Sequence, residues 1–93
     1  MELASPSKRR MHAYEATAEN VIELARDALR HPGLFEGAEL RRALSASAES
    51  LAALGAEIGI VQQLRSDLMA LPRHASARDV AEIAIPHLQR LIG

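Results

Sequence analysis

The sequence predicts an all-α protein, a small bundle of three helices, or four if the central one divides. Three observations carry this. Apolar residues recur at steps of three and four through three long segments, as a buried helical stripe requires. No run of alternating apolar and polar β-formers occurs anywhere. Pro32-Gly33 and Pro72 fall between the periodic segments and separate them.

The chain has 93 residues, 48% of them hydrophobic, which suits one ordered domain near the size at which chains begin to recruit partners. One Phe, one Tyr and no Trp leave Ala, Leu, Ile and Val to build the core. Each buries little area, at roughly 25 cal/mol per Å² of apolar surface removed from water. Stability must therefore come from many small contacts along long helices.

The first helix is expected over residues 6–31, after a flexible start at 1–5. Ser5 offers an N-cap and Pro6 the first helical position, so one free amide is satisfied and another removed. Met11, Tyr14, Ala18, Val21, Ala25 and Ala28 line one face, with Ile22 and Leu29 widening it. Glu19 and Glu23 stand at suitable spacing before Arg26 and Arg30 for weak surface pairs. His31-Pro32-Gly33 ends the helix. Leu34 and Phe35 then read as an apolar plug for the end of the bundle, and Glu36 and Glu39 favour the positive end of the next helix.

That next helix organises the chain, with Leu40, Leu44, Ala48, Leu51, Leu54, Ile58, Val61, Leu64, Leu68 and Leu71 as its stripe. It reads as one helix over about 38–71, with a break at Gly55 as the alternative. Gly55 either terminates a helix in the left-handed conformation or forms, with Gly59, a notch where another backbone approaches. No polar or proline-bearing turn accompanies the glycines, which favours the continuous helix and the notch. A helix of 34 residues would be about 50 Å long, more than a compact monomer of this size accommodates. Dimerisation or a heteromeric helical partner is therefore expected to complete the bundle, through Leu51, Leu54, Gly55, Ile58, Gly59 and Val61.

Pro72 closes the stretch, and Ser76-Ala77-Arg78-Asp79 resembles a capping box that opens a last helix over 76–92. Val80, Ile83, Ala84, His87, Leu88 and Leu91 share one side, and Pro86 is expected to kink or interrupt the helix near 82–85.

The functional signals are few. The run from Arg42 to Leu54-Gly55, followed by Ile58 and Leu64, is similar to the phosphoacceptor helix of histidine phosphotransfer domains, which are four-helix bundles. No histidine lies between His31 and His74, so the residue that family phosphorylates is absent and membership does not follow. There is no phosphate-binding glycine loop, no His-Glu-x-x-His and no nucleophile elbow. His12, His31, His74 and His87 are widely spaced, and no paired acid and base stands out. No catalytic, cofactor or metal site is expected, and the chain reads as non-enzymatic.

A net charge of −1 gives no general pull toward nucleic acid, and the absence of cysteine removes disulfides and thiolate metal sites. No apolar run has the length of a membrane span, and none of the first ten residues forms a signal-peptide core. A cytoplasmic protein is the expectation, with signal-less secretion as the alternative. The predominance of Arg over Lys, together with abundant Ala, suggests a GC-rich bacterial source.

Lys8-Arg9-Arg10 works against local physics, since three cations near the start of a helix oppose its dipole. They are candidates for an anion contact, with His12 beside them. Two functions follow. The first is a helical protein interaction module, an adaptor, small chaperone, regulator or assembly subunit that binds another protein or itself through apolar helix faces. The second is a dimeric nucleic-acid-binding regulator using Lys8 to Arg10 and Arg41-Arg42.

Overall fold

A computed structural model of the chain describes residues 6–92, with side chains described from residue 12 onward. Four α-helices follow one another: α1 (Pro6–Arg30), α2 (Gly37–Ala53), α3 (Ile58–Ala70) and α4 (Ala77–Ile92), with one 3-10 turn at Pro32–Leu34 between the first two. Among the described residues there is no strand. The described body measures 53 × 25 × 20 Å, its length set largely by the 25 residues of α1.

The core is the apolar stripe of each helix turned inward, and among the described residues every buried one is hydrophobic. Ala18, Val21, Ala25 and Ala28 of α1 have almost no exposure. Leu44, Leu51, Leu64, Leu68 and Leu88 are the largest fully buried side chains. The alanines of α1 let α4 approach closely, and Ala77, Ala81 and Ala84 do the same from the other side. The two helices run antiparallel, since the Tyr14 hydroxyl near the start of α1 donates to the carbonyl of Leu91 near the end of α4, at 2.8 Å.

The expected single helix over 38–71 is not what forms. It divides into α2 and α3 at Gly55, whose φ of +109° no other described residue approaches. The Gly55 amide bonds the Ala52 carbonyl at 3.1 Å, and the Ala56 amide reaches back to the Leu51 carbonyl at 2.9 Å. These two bonds define a Schellman termination, which satisfies carbonyls that a helix end otherwise leaves open. Ala56 then packs against the core. Apolar residues on both sides of the turn hide it in the sequence: the stripe continues in register while the backbone reverses. With the 34-residue rod replaced by helices of 17 and 13 residues, the length argument for a dimer no longer stands.

Other boundaries fall close to expectation. The Ser76 hydroxyl accepts the Asp79 amide at 3.2 Å, one half of a capping box at the start of α4. Pro86 lies inside α4 without interrupting it. Proline removes the hydrogen bond to the carbonyl four residues earlier, and Glu82 and Pro86 both lie on the exposed side, where water can replace that bond. Phe35 packs against the core as a plug, but its neighbour Leu34 turns outward and is 80% exposed. The surface pairs of α1 are Glu23 with Arg26 and Arg30, and Asp27 with Arg30. Glu19 takes no part in them.

Two contacts clamp the start of α2 to the connection between α3 and α4. Arg41 donates from Nη1 to the Leu71 carbonyl at 3.2 Å and from Nη2 to the Pro72 carbonyl. Cationic donors suit these terminal carbonyls, where the dipole of α3 is negative. One turn earlier, Gly37 lies so close to the same connection that a Cβ built on it would stand 2.0 Å from the Ala75 carbonyl oxygen. Here the need for glycine comes from tertiary contact, with φ in the ordinary range.

Candidate functional site

Side chains of α1, α2 and the connection between them enclose a surface cleft at the junction. Leu24 of α1 and Phe35 of the connection form its half-buried walls, Leu40 of α2 its floor, and Ala43 closes the side. Leu34 stands at the lip, and Glu36 and Glu39 occupy the rim, both exposed. The arrangement follows from the chain. The 3-10 turn after His31 is too short to bury both members of the Leu34-Phe35 pair, so one plugs the core and the other is left in water. Glu36 is the N-cap residue of α2 and Glu39 lies in its first turn, which puts both carboxylates on the same side as the lip.

The cleft holds about 210 Å³. Small-molecule sites begin at roughly 300 Å³, so the space suits one aliphatic side chain better than a cofactor. Its lining contains no imidazole, hydroxyl or amide side chain. It can take an apolar group and a neighbouring cation, a combination typical of a partner's surface.

The residues expected to bind a partner are scattered by the break at Gly55. Leu51 and Val61 are buried in the chain's own core, at 0% and 2% exposure, and have no surface to offer. Leu54 is half-buried, and Gly55 and Gly59 are exposed. Ile58 projects with 57% exposure. Among the described residues, beyond its two chain neighbours, no atom comes within 4 Å of a Cβ placed on Gly55, and apart from its chain neighbours and the backbone of its own helix only the Glu57 carboxylate comes that near at Gly59, at 3.9 Å. Within one copy the two glycines therefore form no helix-crossing notch.

The basic candidates divide as well. Lys8, Arg9 and Arg10 lie in the helical backbone of α1, but their side chains fall outside the described residues. Arg41, paired with Arg42 in the nucleic-acid reading, spends its guanidinium on the Leu71 and Pro72 carbonyls. Arg42 alone of the two faces solvent.

One polar constellation escaped the sequence reading. His87 of α4 lies 2.8 Å from Asp67 of α3 through Nε2, and Gln63 donates to the other oxygen of the same carboxylate, also at 2.8 Å. The His87 Nδ1 is buried, with no partner among the described residues, so the ring is closed to a substrate at that atom. The group therefore ties α3 to α4. Twenty residues separate His87 from Asp67, and only the tertiary fold joins them. The cleft was missed for a similar reason: its residues were visible, but the outward turn of Leu34 was not. Among the described residues no group of His, Asp or Glu is arranged to hold a metal ion, and no helix is long and apolar enough to cross a membrane.

Comparisons with known proteins give no family to lean on: no family model, no curated protein and no solved structure matches this chain.

Proposed function

We propose that this chain is a non-enzymatic helical interaction module that binds another protein through the cleft at the α1–α2 junction. The observation that carries the reading is Leu34, a leucine 80% exposed at the lip of an apolar cleft with two exposed carboxylates beside it. A single exposed apolar side chain needs no explanation. One that stands over an unfilled apolar depression is different, because a partner side chain entering there would cover the lip and the walls together. The volume of the cleft, below the usual range for small-molecule sites, points the same way.

The corresponding experiment places a photo-crosslinking amino acid at position 34 in cells of the source organism, with the same residue at exposed Gln62 on α3 as control. The module is expected to give discrete protein adducts from position 34 and none from position 62. Diffuse background of equal strength at both positions would remove the reading.

A further inference from the structure

We propose that the cleft's partner is a protein segment that presents one large aliphatic side chain beside a Lys or Arg, the aliphatic group filling the cleft and the cation meeting Glu36 and Glu39. The inference rests on the interaction-module reading and names the chemistry of the partner. Its basis is the charge around the apolar depression. Two carboxylates stand on the rim, and no cation belongs to the lining. Among the described residues no ion pair includes Glu36 or Glu39. The arginines nearest in sequence are committed elsewhere or lie outside the lining: Arg30 pairs with Glu23 and Asp27, Arg41 holds the Leu71 and Pro72 carbonyls, and Arg42 does not border the cleft. Nor is Glu36 consumed by its own helix. It is the N-cap residue of α2, yet its side chain makes no cap hydrogen bond.

The same charges select among occupants. A phosphate-bearing partner, nucleic acid or an acidic lipid surface, would meet two carboxylates at this rim and be repelled. A second copy docked through the same patch would, by two-fold symmetry, set Glu36 and Glu39 against their own images, which opposes the contact. A basic segment gains instead. For one of its side chains to enter the cleft while another reaches the rim, both must stand on one face, two residues apart in an extended segment or three to four apart in a helix. The aliphatic group supplies affinity by covering Leu24, Leu34 and Phe35. Exposed charge pairs are individually weak, so the cation supplies choice of partner and sensitivity to salt more than strength.

Selection of a random-peptide display library against the full chain tests this, beside two variants: Ala43→Trp, which fills the cleft from an exposed position at its side, and Glu36→Lys with Glu39→Lys. The parent should enrich peptides that carry Leu, Ile or Met at those spacings from Lys or Arg, and Ala43→Trp should not. The charge-reversed chain should keep the aliphatic requirement and exchange the cation for Asp or Glu. A selected peptide should bind the parent about tenfold more weakly at about 1 M salt than at about 0.1 M, as the Debye length falls from about 10 Å to about 3 Å. Aliphatic enrichment with no cation, the same cation selected by the charge-reversed chain, or binding indifferent to salt refutes the inference and leaves the interaction-module reading in place. Enrichment no stronger than on Ala43→Trp removes the cleft reading itself. A dimer of the full chain in sedimentation, abolished by Ala43→Trp, assigns the cleft to a second copy and overturns the basic partner. Circular dichroism checks that the variants are folded. If the charge-reversed one is not, Glu36→Gln with Glu39→Gln serves instead, and an unchanged preference for the cation in that variant refutes the inference too.

Discussion

The two glycine junctions of this bundle are opposites. At Gly55 the backbone itself demands glycine: φ is +109°, and the space around a Cβ is empty. At Gly37 the backbone is an ordinary helix start, and it is the neighbouring chain that leaves no room, with the Ala75 carbonyl 2.0 Å from a Cβ. One junction is local and can be formed by a few consecutive residues. The other exists only when α2 meets the connection between α3 and α4, and Arg41 reinforces it from one turn away. The comparison shows that glycine's lack of a side chain answers two separate needs, conformational freedom and close approach, which a sequence presents in the same letter.

The largest effect is expected where the contact is tertiary. Gly37→Ala forces either α2 or the 71–76 connection to move, because the group it meets is backbone and cannot rotate away. Overfilling of this kind costs about 1 to 3 kcal/mol. Urea unfolding should show the free energy of unfolding falling by that amount, read as a lower midpoint at unchanged m. A variant as stable as the parent would mean that the two segments do not touch as described.

Gly55→Ala comes next. Added strain in the left-handed conformation is worth about 1 to 2 kcal/mol, and nothing nearby adds a clash. Asn, which tolerates that conformation better, should recover part of the loss. If Ala instead stabilises the protein, the helix is continuous through residue 55 and the Schellman turn is absent. Thermal melts of the Ala and Asn variants beside the parent decide this.

How much of this was legible in the sequence follows the same division. The end of α1 was readable because His31-Pro32-Gly33 acts on its own neighbours. The Ser76 cap was readable at a spacing of three residues. The turn at Gly55 was readable only as the second choice, although it too is local, because Leu51, Leu54, Ile58 and Val61 keep a helical rhythm across it and no polar residue marks the reversal. Periodicity reports which side is buried. It is silent on whether the chain turns back while burying it. Gly37 gave no sign at all, since its constraint lies 38 residues away at Ala75. The cleft was half legible: the sequence showed an apolar pair in a short connection, and packing decided that Phe35 goes in and Leu34 stays out.

A third junction, between the first and last helices, is held by a side chain instead of a close backbone. Tyr14 donates to the Leu91 carbonyl, and burial raises its pKa above the ordinary 10.0. The proton is therefore held more tightly in the folded state. Below pH 10 the hydroxyl is protonated in both states and its contribution is complete. Above that, the unfolded chain ionises first, and stability is lost as pH rises through the folded-state pKa. Tyr14→Phe should cost about 1 kcal/mol at neutral pH, the net value of one hydrogen bond, and should abolish this residue's share of the alkaline decline. Denaturant midpoints of both proteins from pH 8 to about 11.5 test it. Parallel curves would show that the hydroxyl lies in water.

The smallest effect, and the one whose sign says most, belongs to Gly59. It is the second residue of α3, exposed, with only the Glu57 carboxylate within 4 Å of an added Cβ. Alanine there removes backbone freedom from the unfolded chain and collides with nothing. A gain of up to about 1 kcal/mol is the ceiling for such a change inside a helix, and a position in the first turn should realise about half of it. Gly59→Ala should thus melt slightly later than the parent, and Gly59→Leu should be tolerated. In the proposed interaction through the cleft at the α1–α2 junction, neither variant should alter partner binding, because Gly59 lies on α3. A Leu variant that loses the partner while staying folded would mean that the partner meets the chain across Gly59 after all. That outcome would move the interface from the cleft to the exposed start of α3, where Ile58 already projects into solvent.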